Sequence, residues 1–285
     1  MPIASSAFEV VSLDRWNARV GDLAERYRAG RPFPHIRLQG LLTEEALAIA
    51  VAEFPKLDDP AWISYKHYNE NKVGLTRLDT FPAGIRHIVE ELNAPAFVGW
   101  LEKLTGIDGL ISDPMLDGGG MHQSGRGGFL NVHADFTAHH HHRDWRRRVN
   151  LIVYLNQGWR EEWGGAIELW ERDMKRCAAK MLPEANNALI FNTDETSYHG
   201  FADPLRCPEG VTRKSIALYY YTPEAAGSHA PRSTDYRARP GDGAARRSLI
   251  WLDKKAVDAY SRVKSALGLS DDFAGKVLGK LSRRK

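Results

Sequence analysis

The sequence predicts a mainly β protein with flanking helices (α+β), its core a sandwich, barrel or jelly roll. Two observations carry this. Between about residues 110 and 222, the short apolar runs GGFLNVHADF, RRVNLIVYLN, GGAIELW, NALIFN and RKSIALYYYT succeed one another with turn signals between them. The first hundred residues instead space their apolar side chains at helical intervals. The expected organisation is one structural unit in three parts. A helical part over 1–109 packs on a β core over 110–224, and an extended segment with C-terminal helices follows over 225–285.

Taken in order, Leu13, Trp16, Val20, Leu23 and Tyr27 form a helical stripe. RPFPHIRLQGLL follows as a short strand, held extended at its start by Pro32 and Pro34. Thr43 is an N-cap for a helix to about Phe54, with Glu44 and Glu45 favouring its dipole. Helices are expected over 83–92 and 94–104. The segment 66–77 reads as a loop at the mouth of the core. Glycines at 118–120 and the SGRGG run at 124–128 serve as turns or bulges, and no lysine-serine pair follows to make a phosphate loop. The Pro-, Gly- and Arg-rich stretch after Thr222 reads as a surface excursion or a lid. Two amphipathic helices then close the chain, one through Val257, Tyr260, Val263 and Leu267, the other from Ser270 through Phe273, Val277, Leu278 and Leu281.

The chain of 285 residues is 43% hydrophobic and 26% charged, the balance of a soluble globular protein. A net charge of +3 requires no nucleic acid. Arg146, Arg147 and Arg148, and the tail Arg283, Arg284 and Lys285, read as solvated basic surface. No apolar run reaches membrane-spanning length and no secretory leader is evident, so the expectation is a cytoplasmic protein with Cys177 and Cys207 as reduced thiols.

Chemistry concentrates in a few positions. On a strand, Asn131, His133 and Asp135 share one face, which sets an imidazole beside a carboxylate. Taken alone, the pair reads more readily as two hydrogen-bonded surface residues. His199, far downstream in NALIFNTDETSYHGF, supplies a second imidazole. Arg213 opens RKSIALYYYT and shares its face with Ser215, Ala217 and Tyr219; an inward arginine there needs an anionic partner. Two histidines and one carboxylate leave a metal with open positions, the arrangement of non-haem Fe(II) oxygenases rather than of closed zinc sites.

HADF, RRVNLIVYLNQGW, WGGAIELW, NALIFNTDETSYHG and TRKSIALYYYT together resemble the successive blocks of the Fe(II)/2-oxoglutarate-dependent dioxygenases, in their prolyl-4-hydroxylase-like branch. PFPHIRLQGLL resembles that branch's entry strand and helix. The resemblance implies a double-stranded β-helix (jelly-roll) core. It implies His133, Asp135 and His199 as iron ligands and Arg213 as partner of the distal carboxylate of 2-oxoglutarate, with Tyr154 bonding the same carboxylate. Ser215, beside Arg213, and His122 or Gln123, on the preceding strand, stand as further cosubstrate contacts. It implies Fe(II), 2-oxoglutarate and O2 as cofactors, ascorbate as a supporting reductant, and release of succinate and CO2. With Asp135 present, no ligand position is vacant for a halide, so hydroxylation is expected.

His139 to His142 fall on the loop after this strand and read as solvated rim, with substrate contact and then a second metal as the lesser alternatives. The expected substrate is a small molecule or biosynthetic intermediate, with a prolyl or peptidyl substrate as the alternative and a non-catalytic jelly-roll binding protein as the competing class. No nucleic-acid or membrane partner is expected, and oligomeric state is not legible.

Overall fold

The computed structural model describes residues 8–225, 228 and 230–267, with side chains to residue 256. The second C-terminal helix and the basic tail lie outside the described residues, as do the side chains of the stripe from Val257 onward.

The 13 strands form one continuous, curled antiparallel sheet. β1 (His35–Gln39) is followed by the hairpin β2 (Ile63–His67) and β3 (Glu70–Leu75). Then come β4 (Ile111–Ser112), β5 (Gly120–Ser124), β6 (Phe129–Ala134) and β7 (Trp145–Tyr154). β8 (Ile167–Trp170), β9 (Cys177–Met181), β10 (Asn187–Asn192), β11 (His199–Phe201), β12 (Arg213–Pro223) and β13 (Asp235–Tyr236) complete the set. The path β1-β10-β7-β12-β5 makes one wall and β6-β11-β8-β9 the other. β3 joins them, pairing β5 through Val73–Leu75 and β6 through Glu70 and Asn71. The result is a jelly roll, as the sequence predicts.

Alternation along the strands decides what faces where. On β12, Ile216, Leu218 and Tyr220 enter the main apolar core, while Arg213, Ser215, Ala217 and Tyr219 line the cavity between the walls. β7 divides the same way, with Val149, Leu151 and Val153 outward and Asn150, Ile152 and Tyr154 inward. The core is completed by helices laid on the outer face. α1 (Leu13–Asn17) and α2 (Val20–Ala29) contribute Trp16, Leu23 and Tyr27. α3 (Glu44–Glu53) starts at Thr43, whose hydroxyl accepts from the Ala46 amide at 3.1 Å. α4 (Ala83–Leu92) and α5 (Pro95–Thr105) bury Ile85, Ile88, Leu92, Phe97, Trp100 and Leu101. Each such apolar side chain contributes about 1.5–3 kcal/mol.

Three expectations are corrected. The stripe over 13–27 forms two helices, because the chain turns between Asn17 and Val20. The segment 66–77 is mostly the β2–β3 hairpin. Its polar, lysine-bearing sequence hid a strand whose partners, β5 and β6, are distant in the chain. The stretch after Thr222 returns to the sheet: β13 pairs β6, with Tyr236 opposite His133, and Arg237 N–H donates to the Val132 carbonyl at 2.8 Å.

α6 (Ala244–Leu267) is tied to the hairpin by ionic contacts. Asp253 Oδ2 lies 2.7 Å from His67 Nδ1 and accepts from Asn69 Nδ2 at 2.6 Å, while His67 Nε2 lies 2.8 Å from Glu70 Oε1. Both imidazole nitrogens face carboxylates, which favours the doubly protonated ring. Burial opposes that charge, but Glu70 and Asp253 outweigh it and raise the His67 pKa from its ordinary 6.5. A raised folded-state pKa gives stability that is full below 6.5 and lost as pH rises through the elevated value. His67→Gln is therefore expected to lower the urea midpoint below pH 6.5 and progressively less above the elevated pKa. A pH-independent difference would contradict the charged pairing.

Candidate active site

The site is built where β6 and β11 lie side by side. Their register sets His199 directly opposite His133, so the two rings meet with centroids 4.5 Å apart. Such closeness requires a bare backbone at the next position. A Cβ on Gly200 would stand 2.8 Å from the Leu130 carbonyl oxygen and 2.9 Å from Val132 Cα. The preceding turn is fixed locally, Asp194 N–H donating to Ser197 Oγ at 2.7 Å and Thr196 N–H to Asp194 Oδ1 at 2.6 Å.

Each ring is held in one tautomer. His133 Nδ1 donates to the Asn131 carbonyl and His199 Nδ1 to the Ser197 carbonyl, both at 2.9 Å. A carbonyl only accepts, so in the neutral form of each ring the lone pair is on Nε2. Both Nε2 atoms lie 3.5 Å from an oxygen of Asp135, and ligand atoms of all three residues lie within 4.8 Å of one another. Burial drives the His199 pKa down to about 4, which keeps the imidazole neutral.

Asp135 stays ionised. Burial favours its neutral form, but Arg147 and then the histidines hold its pKa well below the carboxylate range. Arg147 Nη2 donates to Asp135 Oδ2 at 3.0 Å, Asn150 Nδ2 donates to the same oxygen at 2.8 Å, and Arg147 Nε donates to Asn150 Oδ1 at 2.9 Å. The guanidinium carbon lies 3.3 Å from the centre of the Tyr219 ring. Arg147 was expected among solvated basic residues; it is 1% exposed. Its neighbours Arg146 and Arg148 lie near Glu224; alternation from Asn150 would place Arg147 outward beside Val149, but the register shift against Tyr220 and Tyr221 leaves Arg148 unpaired in the ladder and turns Arg147 inward.

Arg213 is the second buried cation. Its Nε donates to the Gly165 carbonyl at 2.9 Å and its Nη2 to Tyr154 Oη at 3.1 Å, and it packs over the Phe201 ring at 4.1 Å. Among the described residues it has no carboxylate within ion-pair distance. Ser215 and His122 line the same cavity, as does Gln123, whose Nε2 donates to Thr212 Oγ1 at 2.8 Å. Burial, reinforced by Lys72, lowers the His122 pKa to about 3, so that ring is neutral. The structure thus gathers His133, Asp135, His199, Arg213, Tyr154, His122 and Ser215 around one cavity. Sequence reading missed Arg147, Asn150 as a partner of Asp135, and Lys72. Alternation gave no signal for Arg147, because the register shift falls between it and the inward run Asn150, Ile152 and Tyr154.

The histidine row needs a second correction. His140, His141 and His142 are exposed, but His139 is 1% exposed. Its Nδ1 accepts from the amides of His141 and His142 at 3.0 and 3.1 Å, and its ring packs against Trp145 and Tyr221. One imidazole therefore caps the turn that the other three occupy. His139→Ala is expected to destabilise the protein by about 2–3 kcal/mol, while His141→Ala stays within about 0.5 kcal/mol. Equal thermal midpoints for the two variants would contradict this assignment.

The comparisons with known proteins agree with this geometry. Residues 119–221 match the model of the 2OG-Fe(II) oxygenase superfamily. Prolyl 3-hydroxylase OGFOD1 of Mus musculus is 28% identical over 81 residues, which span 27% of this chain and 14% of that protein. Among solved structures, a Trichoplax adhaerens prolyl hydroxylase in complex with a hypoxia inducible factor peptide fragment shares the fold with a TM-score of 0.54. That likeness is 14% identical and covers 73% of this chain and 91% of the other. A Phytophthora capsici prolyl 4-hydroxylase gives a TM-score of 0.52 at 13% identity, over 78% of this chain and 68% of its own. Residues 119–221, which carry all three members of the His133, Asp135 and His199 cluster, are thus similar to the 2OG-Fe(II) oxygenases, whose name gives Fe(II) and 2-oxoglutarate as their cofactors.

Proposed function

We propose that this chain is an Fe(II)- and 2-oxoglutarate-dependent dioxygenase that hydroxylates a C–H bond of a small organic substrate, releasing succinate and CO2. The observation that carries it is the convergence of His133, Asp135 and His199 on the cavity that also holds Arg213, a buried cation without a carboxylate partner among the described residues. The residues present fit the implied groups. Two lone-pair imidazoles and one ionised carboxylate are the donor set that suits a non-haem Fe(II) ion with open positions. A planar guanidinium beside a phenol suits a dicarboxylate's distal end.

His133 Nε2, His199 Nε2 and Asp135 would hold the iron, and Arg213 with Tyr154 the cosubstrate. When bound, Fe(II) with 2-oxoglutarate and O2 supplies the oxidising chemistry. The chain's own part is to prepare and orient. Arg147 and Asn150 fix one Asp135 oxygen and leave the other for the metal. The carbonyls of Asn131 and Ser197 aim the two imidazoles. Leu130, Ile152, Ile167 and Phe201 give the cavity apolar walls that limit water around the reacting centre. His122, neutral, and Ser215 offer hydrogen bonds without adding charge.

A small substrate is favoured because β13 already occupies the edge of β6 on which an extended peptide would add as a strand. A prolyl or peptidyl substrate is the second reading, favoured by the short match to the Mus musculus prolyl 3-hydroxylase. Anaerobic Fe(II) with 2-oxoglutarate should give a weak visible charge-transfer band. Oxygen and ascorbate should then yield slow succinate without substrate, accelerated by the true substrate. Absence of both band and succinate would leave the jelly-roll binding-protein reading instead, and acceleration by proline-containing peptides alone would select the second.

A further inference from the structure

The cavity holds a cation that neither the metal ligands nor the Arg213 pair uses. Lys72 lines it together with His122, Asp135, Asn150 and Tyr219. Its placement follows from the strand path, because β3 leaves β6 after Asn71 and joins β5 at Val73, so Lys72 stands where the walls part. Two residues on, Gly74 faces the His122 ring, where a Cβ would lie 3.1 Å from Cδ2.

The ammonium is held from behind. Lys72 Nζ lies 3.1 Å from Glu70 Oε2; Glu70 Oε1 lies 2.8 Å from His67 Nε2; His67 Nδ1 lies 2.7 Å from Asp253 Oδ2 on α6. These four groups alternate in sign and balance one another, anchoring Lys72 to the C-terminal helix. Burial opposes the Lys72 charge, Glu70 more than restores it, and Tyr219 and Asp135 add to it. An ammonium has three donors, and Glu70 takes one. Asp135 is already served by Arg147 and Asn150, so Lys72 is not needed to neutralise it. With a distal cosubstrate carboxylate at Arg213, Lys72 lines the part of the cavity left for the second reactant and keeps two donors that Glu70 does not take.

We infer that Lys72 is a specificity-determining residue for the primary substrate, and that this substrate is a small molecule bearing an oxyanion, a carboxylate or phosphate group, seated on the Lys72 ammonium. This rests on the cavity being the Fe(II) and 2-oxoglutarate site.

The test uses the full chain loaded with Co(II) and saturating 2-oxoglutarate, with inorganic phosphate as probe and its 31P relaxation as readout. Wild type is expected to show saturable paramagnetic broadening. Lys72→Met should weaken phosphate by roughly tenfold or more, and Lys72→Arg by much less, with the Co(II) spectrum and 2-oxoglutarate affinity unchanged. Displacement of phosphate by acetate at similar concentration assigns the carboxylate; resistance to acetate assigns the phosphate. Unsaturable broadening in wild type overturns the inference however the variants fold. So does equal broadening in Lys72→Met, which would place phosphate on the metal, or a loss of 2-oxoglutarate affinity in that variant, which would make the cosubstrate its partner. Failure to bind Co(II) at all would overturn the metal site itself, and the inference with it.

Discussion

Asp135→Ala is expected to lose tight Fe(II) binding and all iron-dependent succinate formation, and also to lose stability. The two losses have separate causes. Removing one of three ligands leaves two imidazoles, too few to hold the ion at ordinary concentrations. Removing the carboxylate also strands Arg147, which is 1% exposed and has no other carboxylate in ion-pair contact among the described residues. Breaking a buried pair from one side typically costs about 3–5 kcal/mol, because an uncompensated charge remains. The double variant Asp135→Ala with Arg147→Met is therefore expected to recover most of the stability and none of the iron binding. Urea denaturation and Fe(II) titration on the same preparations separate these effects. Should the double variant be as unstable as the single one, the Arg147 charge is not what Asp135 balances.

Arg213→Met should act with opposite signs on stability and on cosubstrate binding. Among the described residues the buried guanidinium is met by the Gly165 carbonyl, the Tyr154 hydroxyl and aromatic faces alone. Replacing it with an apolar chain of similar length removes an inadequately compensated charge, so the thermal midpoint without ligand should rise. Affinity for 2-oxoglutarate should fall by roughly a hundredfold, the consequence of about 2–3 kcal/mol of lost charge-assisted bonding. The stabilisation that 2-oxoglutarate gives the wild type in a thermal scan should vanish. A variant that is both less stable and unchanged in affinity would make Arg213 a structural residue.

The inward faces of β7 and β12 were legible because alternation is a property of consecutive residues. Tyr154, Arg213, Ser215 and Tyr219 line the cavity, while Val153, Leu155, Ile216, Leu218 and Tyr220, which alternate with them, enter the core. The capped helix at Thr43 and the helices over 83–92 and 95–105 were legible for the same local reason. The β2–β3 hairpin was not. Its strands are polar and are stabilised by β5 and β6, contacts made across more than forty residues of chain that no local window contains. His139 misled because composition counts four equal histidines, whereas one turn buries the first and exposes the rest.

The sequence by itself determined the chemistry on offer: two histidines and a carboxylate, each placed on a strand face by the two-residue period, and an arginine on a third strand. Only the tertiary structure decided how that chemistry is held. The β6–β11 register sets His199 against His133, and the curl of the sheet carries Arg147 and Asn150 to Asp135. The hairpin and α6 together bring Lys72 into the cavity. Face is set by neighbours one and two residues away, but partnership between strands is set by register across the whole sheet, which no single strand encodes.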